Sequence, residues 1–258
     1  MSICSEKAII YHQEKINEYY YSLWLITQVA STARAGQFIS LYSKDKSRLL
    51  PRPLSICEID REKQLICLIY RINGEGTKEF SHLQANDEID ILGPLGNGFP
   101  LQDKPALLIG GGAGIIPLWE LAKSLPGEKI LVQGYRSLAE SIFPKEAWNP
   151  FVNESYVCTE DGSLGEKGNV LDVIRNKSLT AQVIYSCGPR PMLKAVKDYA
   201  ESLSIPAWIS LEEHMACGIG ACLACVCKTK HKDKHSEVHY QRVCKEGPVF
   251  LAEEVDLS

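Results

Sequence analysis

Cysteine spacing says most about the chemistry open to this chain. Five of the ten cysteines fall between Leu211 and Gly247, where Cys217, Cys222 and Cys225 form a C-x4-C-x2-C array with Cys244 further on. Four thiolates so spaced suit a 2Fe-2S cluster, which is larger than a single ion and needs a short loop wrapped around it. Gly218 and Gly220 permit that wrap, because backbone without a Cβ takes positive φ and can approach the sulfides closely. Structural zinc also takes four cysteines, but as two closely spaced pairs, and only one C-x2-C pair is present. A disulfide knot is disfavoured: MSICSEKAIIYHQEK lacks the long apolar core of a signal peptide, and a reducing, cytoplasmic setting turns clustered cysteines toward metal or redox chemistry. On a strand Cys227 would share a face with Cys225, so either could be the third ligand; Cys225 completes the spacing. A Rieske centre would replace two cysteines by histidines, and four cysteines are already in place. The run from Lys228 to His239 reads as a solvated hairpin loop rather than a metal site at His231, His235 and His239.

Two further stretches suit phosphate binding. In Arg52-Pro53-Leu54-Ser55 the proline holds Arg52 extended, so its guanidinium can grip a pyrophosphate bidentately, with Ser55 expected on the same side. Gly76-Thr77 follows in the turn Asn73 to Thr77 and offers an amide and a hydroxyl. The second stretch is Gly110 to Gly114, whose bare amides are expected at a helix N-terminus, where a phosphate is stabilised. It is not a strict G-x-G-x-x-G, and no acidic ribose ligand follows at the usual distance. Ser186-Cys187-Gly188-Pro189 ends a later apolar run.

The elements that must hold these residues differ along the chain. From Lys7 to Leu92, short β-branched and aromatic runs alternate with turn residues, the pattern of a small antiparallel barrel. From Lys104, PALLIGGGAGIIPLWELAKSL and KILVQGY open a βαβ unit, with further strands expected near Ser155 to Thr159, Gln182 to Ser186 and Ala207 to Leu211, giving a parallel doubly wound sheet. The glycine turn and the Cys-Gly-Pro element then lie at the carboxyl edge, where open α/β sheets bind ligands. Three modules are expected: a β-barrel over 1–99, a nucleotide-binding α/β domain over 100–210, and a 2Fe-2S module over 211–258.

RPLSI in a barrel, a glycine-rich strand end, MACGIGACLACVCKT and the closing RVCKEGPVF together resemble the ferredoxin reductase superfamily. Within it the chain is similar to the electron-transfer subunits of NAD-dependent dihydroorotate dehydrogenase over essentially its whole length. That resemblance implies FAD contacts at Arg52, Pro53, Leu54 and Ser55, along the ring and ribityl chain at Ile69, Tyr70 and Arg71, and at the phosphates by Gly76 and Thr77; barrel core is the competing role for Ile69 and Tyr70. It implies nicotinamide nucleotide at Gly111, Gly112 and Gly114 and at Cys187, Gly188 and Pro189, with Cys187 near the hydride-exchanging carbon. It favours NAD, although Arg136 after the second strand could meet a 2′-phosphate. It also implies a partner, an FMN-containing dihydroorotate dehydrogenase catalytic subunit, in a heterotetramer of two copies each.

Composition sets limits. A net charge of −4 offers no basic surface for nucleic acid. The longest apolar stretch, Ala106 to Trp119, is too short and too broken by Gly110 to Gly112, Gly114 and Pro117 to span a bilayer. The chemistry expected is electron transfer: nicotinamide exchanges two electrons as hydride, a cluster passes one, and a flavin does both. Related flavoprotein subunits of sulfide dehydrogenase or bifurcating transhydrogenase type share most of these motifs. A zinc-stabilised or redox-sensing binding module would explain the cysteines but leave the other motifs as coincidences.

Overall fold

The computed structural model describes residues 3–230, 232 and 238–257. Six strands, β1 (Cys4–Lys15), β2 (Tyr20–Ile26), β3 (Phe38–Leu41), β4 (Arg52–Asp60), β5 (Leu65–Arg71) and β6 (Glu88–Leu95), close an antiparallel barrel in the order β1-β2-β5-β4-β3-β6. Alternation drives it: on β1, Ala8 and Ile10 point into the barrel while Lys7 and Ile9 point out. One seam stays open. Residues Arg52–Ser55 of β4 pair only with β3, and β4 meets β5 from Ile56 onward, after which the register slips at a bulge around Cys57. Ile69–Arg71 of β5 pair with β2 instead, so the two stretches diverge into a mouth.

The expected turn at Asn73 to Thr77 is the start of a short helix, α1 (Glu75–Phe80). Thr77 Oγ1 accepts from the Asn73 and Gly74 amides at 2.9 and 3.3 Å and donates to the Gly74 carbonyl. Its hydroxyl is therefore engaged in closing the helix.

The second layer system is a seven-stranded sheet in the order β10-β9-β8-β7-β11-β12-β15, comprising β7 (Ala106–Gly111), β8 (Lys129–Tyr135), β9 (Glu154–Thr159), β10 (Glu166–Lys167), β11 (Val183–Cys187), β12 (Ala207–Ser210) and β15 (Val249–Leu251), with β13 and β14 outside it. Central β7 is buried at every position, as a parallel strand covered on both faces must be. Helices α2 (Ile116–Ser124), α3 (Val170–Asn176) and α4 (Arg190–Leu203) accompany it; α4 is amphipathic, burying Leu193, Val196 and Ala200 at helical spacing. All neighbours pair in parallel except β12 with β15. The tail thus returns to the central sheet after a two-stranded hairpin, β13 (Val226–Lys228) with β14 (Tyr240–Arg242).

The glycine turn differs from expectation in one respect. β7 runs to Gly111, and a single 3-10 turn, Gly112–Ile115, separates it from α2. The free amides belong to that turn rather than to the first turn of the α-helix.

Candidate redox site

A cavity of about 330 Å³ opens at the barrel mouth. Its walls come from Arg52–Ser55 of β4, Ile69–Arg71 of β5, Thr77 of α1, Ala113 and Ile116 at the glycine turn, Ser210 at the end of β12, and Leu211–Glu213 with Met215 and Pro248 from the cysteine module. Arg52 and Ser55 are three residues apart, so alternation alone would aim them at opposite faces. Both nevertheless line the cavity, on the stretch of β4 that has no β5 partner. The Arg52 guanidinium lies over Gly76, where a Cβ would stand 2.7 Å from its Cζ, and its Nη1 donates to the Leu50 carbonyl. Glycine at 76 is thus what lets α1 and the arginine approach.

Arg71 sits 4.7 Å over the Tyr19 ring and 3.7 Å from Glu140 of the α/β domain. Tyr70 lines the cavity but is held in the barrel core: it is 2% exposed, donates to Gln13 Oε1 at 3.0 Å and stacks on Tyr21. Ile69 is likewise buried, among residues packed against the α/β domain. Both therefore face the cavity from within packed layers, with core and lining roles combined.

The glycine turn and the Cys-Gly-Pro element meet at the ends of adjacent strands, Gly110 opposite Cys187. A Cβ on Gly114 would overlap the Cys187 carbonyl and lie 2.5 Å from the Gly188 nitrogen; one on Gly111 would lie 3.0 Å from Pro189 Cδ. Gly112, with φ +54°, faces open space. This crevice, where connections leave in opposite directions, is the ligand position of doubly wound sheets. Cys187 is 2% exposed and does not line the cavity; burial pushes its thiol well up, and the nearby Glu212 carboxylate adds to this. Arg136 is exposed.

Glu212 was not legible as a site residue. It lines the cavity while keeping solvent access, with no hydrogen bond or ion pair to another described residue, and desolvation by the surrounding atoms raises its pKa. Only the fold brings it from the approach to the cysteine loop against the strand ends.

The four predicted cysteines approach one another as two pairs, Cys217 with Cys222 and Cys225 with Cys244. Cys217 Sγ accepts from the Ala221 and Cys222 amides at 3.3 and 3.4 Å. Partial burial opposes its thiolate, but amides of Ile219, Cys222 and Ala221 together with the Cys222 thiol outweigh that and bring its pKa down to about 6. Cys244 N donates to Cys225 Sγ at 3.4 Å, and Val243 N to the Cys225 carbonyl at 2.8 Å. Burial, then the Cys225 thiol, push Cys244 up to about 12. Cys227 sits on β13 opposite Gln241, buried, its thiol pushed up to about 11 by burial. The thiols are linked pairwise, and no three metal-binding side chains among the described residues converge as for one ion. Left-handed Gly218 and Gly220 lie between Cys217 and Cys222. His231 and His235 lie outside the described residues; the ring Nδ1 of His239 is 2.9 Å from the Lys230 carbonyl. No helix among the described residues is long and apolar enough to cross a membrane.

Comparison with known proteins agrees with this geometry. Residues 212–256 match the iron-sulfur cluster binding domain of dihydroorotate dehydrogenase B. The chain is 42% identical, over 96% of its length and 97% of the relative's, to the electron transfer subunit of dihydroorotate dehydrogenase B (NAD(+)) from Listeria welshimeri, and 43% identical, over 98% of each chain, to that of Bacillus caldolyticus. Among solved structures, an NADH-dependent reduced ferredoxin-NADP oxidoreductase studied for flavin-based electron bifurcation is similar with a TM-score of 0.86 and 29% identity, over 97% of this chain and 90% of that one. A ferredoxin reductase of carbazole 1,9a-dioxygenase, at 17% identity and a TM-score of 0.65 over 80% of this chain and 68% of that one, shares the fold. With its cysteine loop, barrel mouth and strand-end crevice on one frame, and relatives above 40% identity along nearly the whole chain, the protein belongs to the family of dihydroorotate dehydrogenase B electron transfer subunits.

Proposed function

We propose that this chain carries electrons from the FMN of a dihydroorotate dehydrogenase catalytic subunit, through a 2Fe-2S cluster and FAD, to NAD⁺ in pyrimidine biosynthesis. One observation carries the reading: Met215 walls the cavity and Cys217, two residues on, opens the cysteine loop, its sulfur accepting the Ala221 amide. Flavin cavity and cluster loop are thereby adjacent on one short segment. A flavin exchanges hydride with nicotinamide and single electrons with a cluster.

The chain's own residues bind and orient. Arg52 supplies a bidentate cation and Ser55 a hydroxyl at the barrel mouth, with Pro53, Leu54, Ile69, Tyr70, Arg71, Gly76 and Thr77 completing the FAD site. Gly111, Gly112, Gly114, Gly188 and Pro189 form a crevice narrow enough to hold a nicotinamide nucleotide against it, and Cys187 supports that crevice from behind. Cys217, Cys222, Cys225 and Cys244 hold the cluster. Residues 1–99, 100–210 and 211–258 divide these tasks. A thiolate-held cluster suits a reducing compartment, hence the cytoplasm.

The partner docks over the cysteine loop, where Cys222 is exposed and flanked by exposed Ile219 and Leu223, in an assembly of two copies of each subunit. The test is dihydroorotate-driven NAD⁺ reduction without oxygen, with this chain alone and after mixing with the catalytic subunit of the same organism. Activity only on mixing is expected. Inactivity on mixing, with FAD and cluster measured in the sample, would overturn the partner and favour the bifurcating type of flavoprotein, which the 0.86 TM-score keeps as the second reading.

A further inference from the structure

Strand β14 does more than return Cys244 to the cluster. Its last residue, Arg242, is mostly buried and held by Glu246: Nε donates to Oε2 at 2.9 Å, Nη2 to Oε1, and the Arg242 backbone amide to Oε2 at 2.8 Å. The remaining arm is aimed elsewhere. Nη1 donates to the Gly220 carbonyl at 2.9 Å.

Gly220 lies between ligands Cys217 and Cys222, with φ +84°. In a planar trans peptide the carbonyl and the following N–H point in opposite directions. Holding the Gly220 oxygen toward Arg242 therefore turns the Ala221 N–H the other way, where it donates to Cys217 Sγ at 3.3 Å. The Arg242–Glu246 pair is also tied to the barrel, since Asn97 Nδ2 donates to the Lys245 and Glu246 carbonyls at 3.1 and 2.8 Å.

We propose that Arg242, braced by Glu246, is a positioning residue for the cluster, fixing the Gly220–Ala221 peptide plane so that its N–H hydrogen-bonds the Cys217 sulfur. This rests on the four-cysteine reading above. Hydrogen bonds to ligand sulfurs favour the more negative, reduced cluster and help set its potential, and partners that orient a ligand govern how firmly the metal is held.

The test uses the full chain, reconstituted without oxygen, in wild-type, Arg242→Met, Arg242→Lys and Glu246→Gln forms. Arg242→Met is expected to shift the cluster potential to more negative values and to release iron to a chelator on the order of ten-fold faster. It should also lose an exchangeable-proton coupling that the reduced wild-type cluster shows by pulsed EPR and that disappears in D2O. Arg242→Lys keeps the charge and one donor, and should recover most of the coupling; Glu246→Gln should fall between. If Arg242→Met does not fold, as judged by its FAD content, the lysine and glutamine variants carry the test. Wild-type potential, release rate and coupling in the folded variants would overturn the proposal. Absence of any cluster signal in the wild-type chain would overturn the four-cysteine reading and the proposal with it.

Discussion

Cys225 and Cys227 are separated by one residue and are both buried, so burial cannot choose between them as ligand. Their neighbours can. The Cys225 sulfur and carbonyl accept from the amides of Cys244 and Val243, which places it beside the downstream ligand. Cys227 instead is committed to the β13–β14 ladder opposite Gln241, with its thiol buried. Cys225→Ser is expected to abolish the visible absorption of the cluster, while Cys227→Ser leaves it in place with some loss of stability. The opposite pattern would exchange their roles. Sequence spacing had already favoured Cys225; what it lacked was the strand start at Val226, which leaves Cys225 in the loop and commits Cys227 to the sheet.

At the scale of elements, helix α2 is fastened to the barrel by carboxylates that sequence does not explain. Glu120 is 4% exposed, and its Oε2 accepts from the Ile59 amide at 3.0 Å. Pairing of β4 with β3 covers only Arg52–Ser55, so Ile59 has no strand neighbour on that edge and the glutamate takes its place. Glu120→Ala leaves a buried N–H unsatisfied and should cost about 1–3 kcal/mol, read as a lower denaturant midpoint with an unchanged slope. A second carboxylate braces the β3–β4 loop. Burial opposes ionisation of Glu79, but Ser43, the Lys44 amide and Arg48 outweigh it and hold its pKa below the ordinary value of 4.5. A lowered carboxylate pKa stabilises the fold above the unfolded value and loses that contribution as pH falls through the folded one. Protease nicking between Ser43 and Pro51 should therefore rise as pH drops below about 4.5, and Glu79→Gln should raise it at neutral pH. Long, self-consistent runs such as buried ALLIGG and the alternating barrel strands were legible because their pattern is local. The role of Glu120 was not, because its partner lies 61 residues away. Strand β15 was hidden too, being three residues long and dependent on β12 for its identity.

For the whole molecule, barrel, α/β sheet and cysteine module all contribute walls to the cavity. They are also joined by direct contacts, among them Lys123 to Glu58 at 2.6 Å, Asn17 Nδ2 to the Ser141 carbonyl at 2.8 Å and Asn97 Nδ2 to the Glu246 carbonyl at 2.8 Å. A flavin bound at that junction buries surface from all three modules at once. It should stabilise them together rather than the barrel alone. A ligand binding only the folded state at about a hundred times its Kd contributes about 2.7 kcal/mol. Stripping FAD and then restoring it should thus move one thermal transition upward, reported alike by near-ultraviolet dichroism of the aromatic layer around Trp119 and Trp148 and by loss of the cluster's visible absorption. If FAD bound the barrel only, the two probes would separate, the α/β and cluster signals staying fixed while a barrel transition moved. Coincident movement is the result expected of a cofactor placed where hydride arrives from one module and single electrons leave through another, because that chemistry requires both modules to be held against the same ring.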